Sequence, residues 1–111
     1  MNLSTERLDA ANPPPGIVAR IRDAVSPSRI ILFGSRATGA AQPDSDYDIL
    51  VVLPGRVNRR QETVRVMRLF ERERIPIDVL VIGEDQVEEV RARLLSVVRV
   101  ALEHGRVVCA A

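Results

Sequence analysis

The chain contains no lysine, and all 16 of its basic residues are arginine. A phosphate-binding loop of the Walker type, a kinase-type phosphate contact, a lysyl adenylate and a pyridoxal Schiff base all require the lysine amine. These reaction classes are therefore excluded. Carboxylates, hydroxyls, guanidinium groups and backbone amides remain as the groups that can bind or react.

Histidine and cysteine are equally scarce, because His104 and Cys109 are single residues of their types. This excludes a zinc site built from His/Cys sets and an intramolecular disulfide, and it argues against a Ser-His-acid triad. The chain also lacks an apolar run near the roughly 18 residues of a membrane-spanning helix. Its first residues lack the basic and apolar regions of a secretory signal. We therefore expect a cytoplasmic protein.

The overall composition indicates one domain with an aliphatic core. The chain has 111 residues, 46% of them hydrophobic but only 3% aromatic, and a net charge of +1. We expect an N-terminal arm over residues 1–13 and a single domain over residues 14–111. A balanced charge of this kind does not predict binding to nucleic acid or to an anionic membrane.

Hydrophobic periodicity and turn residues predict an alternation of helices and strands. The predicted helices cover residues 17–25, 35–41, 59–74 and 84–104, and the predicted strands cover residues 29–33, 46–53, 77–82 and 106–109. We assign Met67 and Phe70 to the core. The order indicates an α/β domain with a small mixed sheet of three to four strands and flanking helices. The connection between the first two strands allows parallel or antiparallel pairing.

Gly34 and Ser35 join the first strand to a short helix. A glycine here permits a sharp turn and the close approach of a ligand, and the start of a helix offers a hydroxyl and free N–H groups to an anion. The pair therefore predicts a site for the phosphates of a nucleotide. An ordinary turn followed by a helix cap explains the same two residues.

Asp46 and Asp48 stand at the entry of the second strand. A calcium loop that starts at Asp44 is excluded, since Ile49 occupies the position of its glycine and Gly55 that of its glutamate. Residues two apart in a strand share a face, roughly 7 Å apart, and two such carboxylates can share divalent ions. The alternative is a solvated acidic strand entry.

Asp78 lies in the apolar run from Ile75 to Ile82, where we expect it to be buried. A buried carboxylate needs a partner, and without lysine that partner is a metal ion or an arginine. If the second and third strands are neighbours, Asp78 faces the ions held by Asp46 and Asp48 and can act as a general base. A structural Asp–Arg pair is the alternative.

These residues resemble the DNA polymerase beta-like nucleotidyltransferase superfamily. Gly34-Ser35, ten residues and Asp46-x-Asp48 match its pattern G-S-x₁₀-D-x-D. The surrounding segments FGSRATG and DSDYDILV are similar to the minimal nucleotidyltransferase branch, the MntA-type antitoxins of prokaryotic toxin–antitoxin pairs. The resemblance covers roughly residues 14–109, and Asp78 fits the third aspartate of the pattern.

The resemblance implies a nucleotidyltransferase fold and transfer of NMP, usually AMP from ATP, with release of pyrophosphate. It implies Mg²⁺ at Asp46 and Asp48, with Asp78 as a third ligand, and the nucleotide at Ser35. It also implies a HEPN-type helical toxin as partner, whose tyrosine hydroxyl accepts AMP. Two alternatives remain: a non-catalytic antitoxin that masks its partner, and a small-molecule nucleotidyltransferase of the aminoglycoside type, which we disfavour because the chain has no residues left for an acceptor domain.

Two residues beside the motif are assigned by their positions. Arg36 follows Gly34-Ser35 and is a candidate for phosphate contact, with a solvated helix arginine as the alternative. Tyr47 points away from its aspartate neighbours if the strand is regular, so we interpret it as a packing residue.

Overall fold

The computed structural model describes residues 15–42, 45–73, 75–93 and 96–110, so the predicted N-terminal arm over residues 1–13 lies outside the described residues. The described chain forms four strands and five α-helices, with 3₁₀ turns over Arg68–Phe70 and Glu84–Gln86. The elements are α1 Pro15–Val25, β1 Arg29–Phe33, α2 Ser35–Thr38, β2 Tyr47–Leu53, α3 Arg59–Met67, β3 Ile77–Gly83, α4 Val87–Arg91, α5 Val97–His104 and β4 Arg106–Ala110.

The four strands form one mixed sheet in the order β3-β2-β1-β4. Strand β1 runs antiparallel to β2 and to β4, whereas β2 and β3 are parallel. The antiparallel pairing of β1 with β2 decides the question that the connecting segment had left open. The sheet and its flanking helices confirm the predicted α/β class.

Helices cover both faces of the sheet because its central strands are apolar on both sides. Strand β2 places Ile49 and Val51 in one cluster and Leu50 and Val52 in the other, as the alternation of a pleated strand requires. Helices α1 and α3 pack on the first face, and α4 and α5 pack on the second. The core is aliphatic, as the composition predicted.

The prediction of one helix over residues 84–104 is wrong. A 3₁₀ turn over Glu84–Gln86 leads into α4, and a separate helix, α5, begins at Val97. The Ser96 side chain caps α5 by accepting a hydrogen bond from the Arg99 N–H at 3.2 Å. The apolar stripe runs across both helices in helical phase, so periodicity alone did not reveal the break.

Helix α3 is also shorter than predicted, and only one of its two predicted core residues, Phe70, is buried. It ends at Met67 and continues as a 3₁₀ turn over Arg68–Phe70. Val66 and Phe70 are buried, but Met67 is 39% exposed, so its assignment to the core is wrong. Val66 and Phe70 are four residues apart and therefore share one side of the helix, whereas Met67, the residue after Val66, lies off that side.

None of the helices in the described parts of the chain is long and apolar enough to cross a membrane.

Candidate active site

The sheet topology brings the three predicted segments to one end of the molecule. Because β1 is antiparallel to β2, the end of β1 lies beside the start of β2, with Phe33 opposite Asp48. Because β3 is parallel to β2, it starts at the same end, with Asp78 opposite Asp48. Gly34-Ser35 follows directly after Phe33. Three segments distant in sequence therefore meet at one edge.

Gly34 is required by its backbone and by its neighbour. Its φ of 73° lies in the region that favours glycine. A Cβ added at this position would overlap the Asp48 carboxylate oxygen Oδ2. We had predicted that the missing side chain leaves space for a ligand. In the structure this space lies directly against the Asp48 carboxylate.

Ser35 opens helix α2 beside this turn. The Gly34 carbonyl accepts hydrogen bonds from Ala37 N–H at 3.0 Å and Thr38 N–H at 3.2 Å. The Ser35 hydroxyl makes no hydrogen bond to any other described residue. The first N–H groups of a helix have no partner inside it, so hydroxyl and helix start together are suited to an anionic ligand. Gly39 ends the helix in the left-handed conformation.

Asp48 and Asp78 project from directly paired positions of β2 and β3. Alternation places both on the face that carries Leu50 and Ile82. Asp46 precedes β2 by one residue and is exposed, whereas Asp48 is half-buried. The predicted neighbourhood of Asp78 and the Asp-x-Asp pair is thus present in the fold.

The expectation that Asp78 is buried is wrong, because its side chain is exposed. Strand β3 lies at the edge of the sheet. On the face that carries Asp78, burial decreases from the end of the strand toward its start: Ile82 is buried, Leu80 is half-buried and Asp78 is exposed. An exposed carboxylate needs no partner to be tolerated. Its register with Asp48 is therefore the stronger reason to place it in the site.

The pKa of Asp48 is raised above its ordinary value of 3.8, first by burial and then by the negative charges of Asp78 and Asp46. Across the described residues, none of these carboxylates forms an ion pair with an arginine. The structural Asp–Arg pair considered for Asp78 is thus not found there. A cation would offset the repulsion, which is the smaller cause of the raised pKa.

A divalent cation fits this donor set in its chemistry. Hard cations prefer carboxylate oxygens, and Asp46, Asp48 and Asp78 carry uncompensated charges close enough to interact. Among the residues that the structure describes, no three His, Cys, Asp or Glu side chains are already gathered in a cluster that could hold a metal ion. Binding would therefore require the carboxylates to turn toward a shared cation.

Arg36 is 5% exposed, so the alternative of a solvated helix arginine is wrong. Its guanidinium donates to the Ser45 carbonyl from Nε at 3.3 Å and from Nη2 at 2.9 Å. The same group lies over the Tyr47 ring, 4.3 Å from the centroid. Arg36 thus connects α2 with the segment that leads into β2.

Tyr47 packs against the cluster on the face of α1 and α3, opposite to Asp48, so its interpretation as a packing residue is confirmed. Its contact with Arg36 was missed. A signal was present in the sequence, because the chain's one tyrosine stands between the two aspartates and the arginine follows Gly34-Ser35. Only the fold shows that the two side chains meet.

Comparison with known proteins agrees with this geometry. The family model described as the nucleotidyltransferase domain matches residues 16–108, and such domains generally use a nucleoside triphosphate and a divalent metal ion. The fold is similar to the crystal structure of a candidate nucleotidyltransferase from Sulfolobus solfataricus, with a TM-score of 0.59 and 23% identity over 83% of this chain and 72% of that one. No curated protein matches the chain.

The likeness to the archaeal structure shows the fold, and the family match spans most of the chain, including Gly34-Ser35 and all three aspartates. The chain therefore belongs to the nucleotidyltransferase domain family.

Proposed function

We propose that this domain transfers AMP from ATP, with Mg²⁺, to a hydroxyl group of a partner protein. The observation that carries the proposal is the register of Asp48 with Asp78 beside the turn at Gly34-Ser35. It joins a phosphate-binding element to a set of carboxylates. Together they have the parts that phosphoryl transfer to a hydroxyl requires.

The proposed roles follow from the chemistry of each side chain. Ser35 and the start of α2 bind the phosphates of the nucleotide. Asp46, Asp48 and Asp78 would hold the divalent cations, which would supply positive charge to the leaving pyrophosphate and to the acceptor hydroxyl. Asp78 also accepts the hydroxyl proton. A bond forms between the acceptor oxygen and the α-phosphorus, and the bond from that phosphorus to the pyrophosphate oxygen breaks.

A protein acceptor is supported by the solvent exposure of two of the three candidate carboxylates. Asp46 and Asp78 are both exposed, so a side chain on another protein can approach them without displacing part of this fold. The resemblance to the minimal nucleotidyltransferase branch suggests a HEPN-type helical toxin with a tyrosine acceptor. On this proposal the domain acts as an antitoxin by modifying its partner.

The test is transfer of labelled AMP from α-³²P-ATP with Mg²⁺ to a HEPN-type protein encoded beside this chain. The labelled residue is identified by mass spectrometry. We expect label on a tyrosine of the partner, and loss of that label when Asp46→Ala and Asp48→Ala are combined. Asp23→Ala is the matched control, since Asp23 is an exposed aspartate on α1 and its loss should leave transfer unchanged.

Each of the other outcomes would indicate a different function or mechanism for this chain. Transfer that survives the double substitution contradicts the carboxylate mechanism. Neutralisation of the partner by the double variant, without label, indicates an antitoxin that acts by masking. Label on an aminoglycoside but not on the partner indicates a small-molecule transferase.

A further inference from the structure

Arg36 is a charged residue in an environment where a charge is costly. With 5% of its surface exposed it is one of two buried polar or charged residues in the described chain, the other being Gln86. A buried guanidinium destabilises a fold unless hydrogen bonds compensate for its lost hydration. We therefore expect the contacts of the guanidinium to fix the position of the groups that it binds.

Two contacts of Arg36 flank Asp46, one on each side. The guanidinium donates to the carbonyl of Ser45, the residue before Asp46, and lies over the ring of Tyr47, the residue after it. One planar group thus holds the two neighbours of a single aspartate. The stacking on the ring and the paired donation both use the flat shape of the guanidinium.

Asp46 depends on such neighbours more than Asp48 does. Asp48 lies inside β2 and is paired on both sides, with Phe33 and with Asp78. Asp46 precedes the strand and is exposed, and its carboxylate has no hydrogen bond to any described residue. Its position is set by Ser45 and Tyr47, and Tyr47 is further fixed by its N–H, which donates to the Pro76 carbonyl at 2.7 Å.

We propose that Arg36 is a positioning residue that holds Asp46 in place for metal binding, and that it does not bind the nucleotide. Because Arg36 belongs to α2, the helix that starts at Ser35, it also fixes the carboxylate pair relative to the phosphate-binding turn. The inference deepens the proposed function and rests on it. It replaces the role in phosphate contact that the sequence had suggested for this residue.

The test measures metal binding directly, with Mn²⁺ as the probe and electron paramagnetic resonance as the readout. Residues that orient metal ligands typically change metal affinity by roughly 10–100-fold when they are replaced. We expect Arg36→Met to weaken Mn²⁺ binding by about tenfold or more. Arg36→Lys should also weaken Mn²⁺ binding, because the ammonium group is not planar. It cannot stack on the Tyr47 ring and donate two hydrogen bonds to the Ser45 carbonyl at the same time. Tyr47→Phe keeps the ring and should bind Mn²⁺ as the wild type does.

A second measurement separates positioning from direct contact with the nucleotide. In EDTA, Arg36→Lys should bind ATP with the affinity of the wild type. A loss of ATP affinity in EDTA with unchanged Mn²⁺ binding would show a phosphate contact and overturn the inference. Arg36→Lys is the decisive variant if Arg36→Met does not fold, and Arg22→Lys, on the exposed side of α1, is the matched control.

Failure of the inference differs from failure of the proposed function. If the wild type transfers AMP and binds Mn²⁺, but both Arg36 variants bind Mn²⁺ equally well, only the positioning role is wrong. If the wild type neither transfers AMP nor binds Mn²⁺, the proposed function fails and the inference with it. A structural role alone predicts a lower melting temperature with an unchanged Mn²⁺ affinity of the folded fraction.

Discussion

Gly34 and the Asp48 carboxylate share one small space at the end of β1. The positive φ of Gly34 turns the chain toward α2, and the missing Cβ leaves room for the carboxylate oxygen. Backbone strain and steric overlap therefore act at the same residue. Two other glycines, Gly39 and Gly16, allow backbone strain and steric overlap to be tested separately.

Replacing Gly34 by alanine should lower the free energy of unfolding by about 1–3 kcal/mol and abolish the proposed AMP transfer, because Asp48 must move. Chemical unfolding and the transfer assay measure the two effects. Gly39→Ala controls for strain, since Gly39 has φ 84° but an open Cβ position, and Gly16→Ala controls for both. If Gly34→Ala costs no more than Gly39→Ala, the overlap with Asp48 has no energetic importance.

The raised pKa of Asp48 makes stability depend on pH in a definite direction. Between the ordinary value of 3.8 and the raised value, the folded protein binds more protons than the unfolded chain. The free energy of unfolding therefore falls as pH rises through this interval. Above it, the ionised carboxylate destabilises the metal-free fold.

Asp48→Asn removes this titration without a change of shape. In EDTA at pH 7, the variant should be at least as stable as the wild type, and its advantage should disappear at pH 3.5, below the ordinary pKa. Urea unfolding at the two pH values measures the difference. A variant that is less stable than the wild type at pH 7 but not at pH 3.5 would show that ionised Asp48 stabilises the fold.

Helix α3 shows how the orientation of a helix on the sheet decides which of its side chains reach the core. Val66 is fully buried, whereas Met67, the next residue, is 39% exposed. Their spacing on the helix was visible in the sequence, but its phase relative to the sheet was not. The pair gives a direct test of the observed packing.

Val66→Ala should lower the free energy of unfolding by about 2 kcal/mol, because it removes buried methyl groups and leaves a cavity. Met67→Ala, at an exposed site, should change it by less than about 0.5 kcal/mol. Chemical unfolding of the two variants in parallel checks the order. The reverse order would restore the assignment of Met67 to the core.

A substitution at Ser96 tests whether α4 and α5 are two helices or one continuous helix. As the N-cap of α5 it satisfies the Arg99 N–H, so Ser96→Ala should cost about 1 kcal/mol of stability. Inside a continuous helix the same change would be neutral or stabilising, since alanine has the higher helix propensity. Thermal or urea unfolding gives the sign. Asn58→Ala is a matched control, because Asn58 caps α3 in the same manner.

At the scale of the whole molecule, the strand order assembles the site. Antiparallel β1 and parallel β3 flank β2, so their functional ends meet at one edge of the sheet. A ligand at this edge contacts segments that are far apart in the chain. Its binding should therefore stabilise the entire fold.

We expect Mg²⁺ or Mn²⁺ to raise the melting temperature of the wild type. At ten times the dissociation constant, binding adds about 1.4 kcal/mol, or roughly 5 °C for a domain of this size. Differential scanning fluorimetry in rising metal concentration measures the shift. Asp46→Ala combined with Asp48→Ala should lose it, and Asp23→Ala should keep it. An equal shift in the double variant would place the metal elsewhere.

Local chemistry was sufficient to predict most of the elements. The bounds of β1 and the start of α2 at Ser35 follow from turn residues and apolar runs, and these signals act over a few residues. The break before α5 and the phase of α3 depend on packing against the sheet. Periodicity shows that a helix has an apolar side, but the partner surface decides where the helix ends and what it buries.

The sequence by itself determined the chemistry available to this protein. The absence of lysine, the spacing from Gly34-Ser35 to the two aspartates and the apolar runs left a carboxylate site on an α/β fold as the consistent interpretation. The tertiary structure decided which groups interact. Asp78 is exposed, yet it lies beside Asp48, and Arg36 is buried, with its guanidinium holding the neighbours of Asp46. Exposure and contact depend on strand order and register, and these follow from how the whole chain packs.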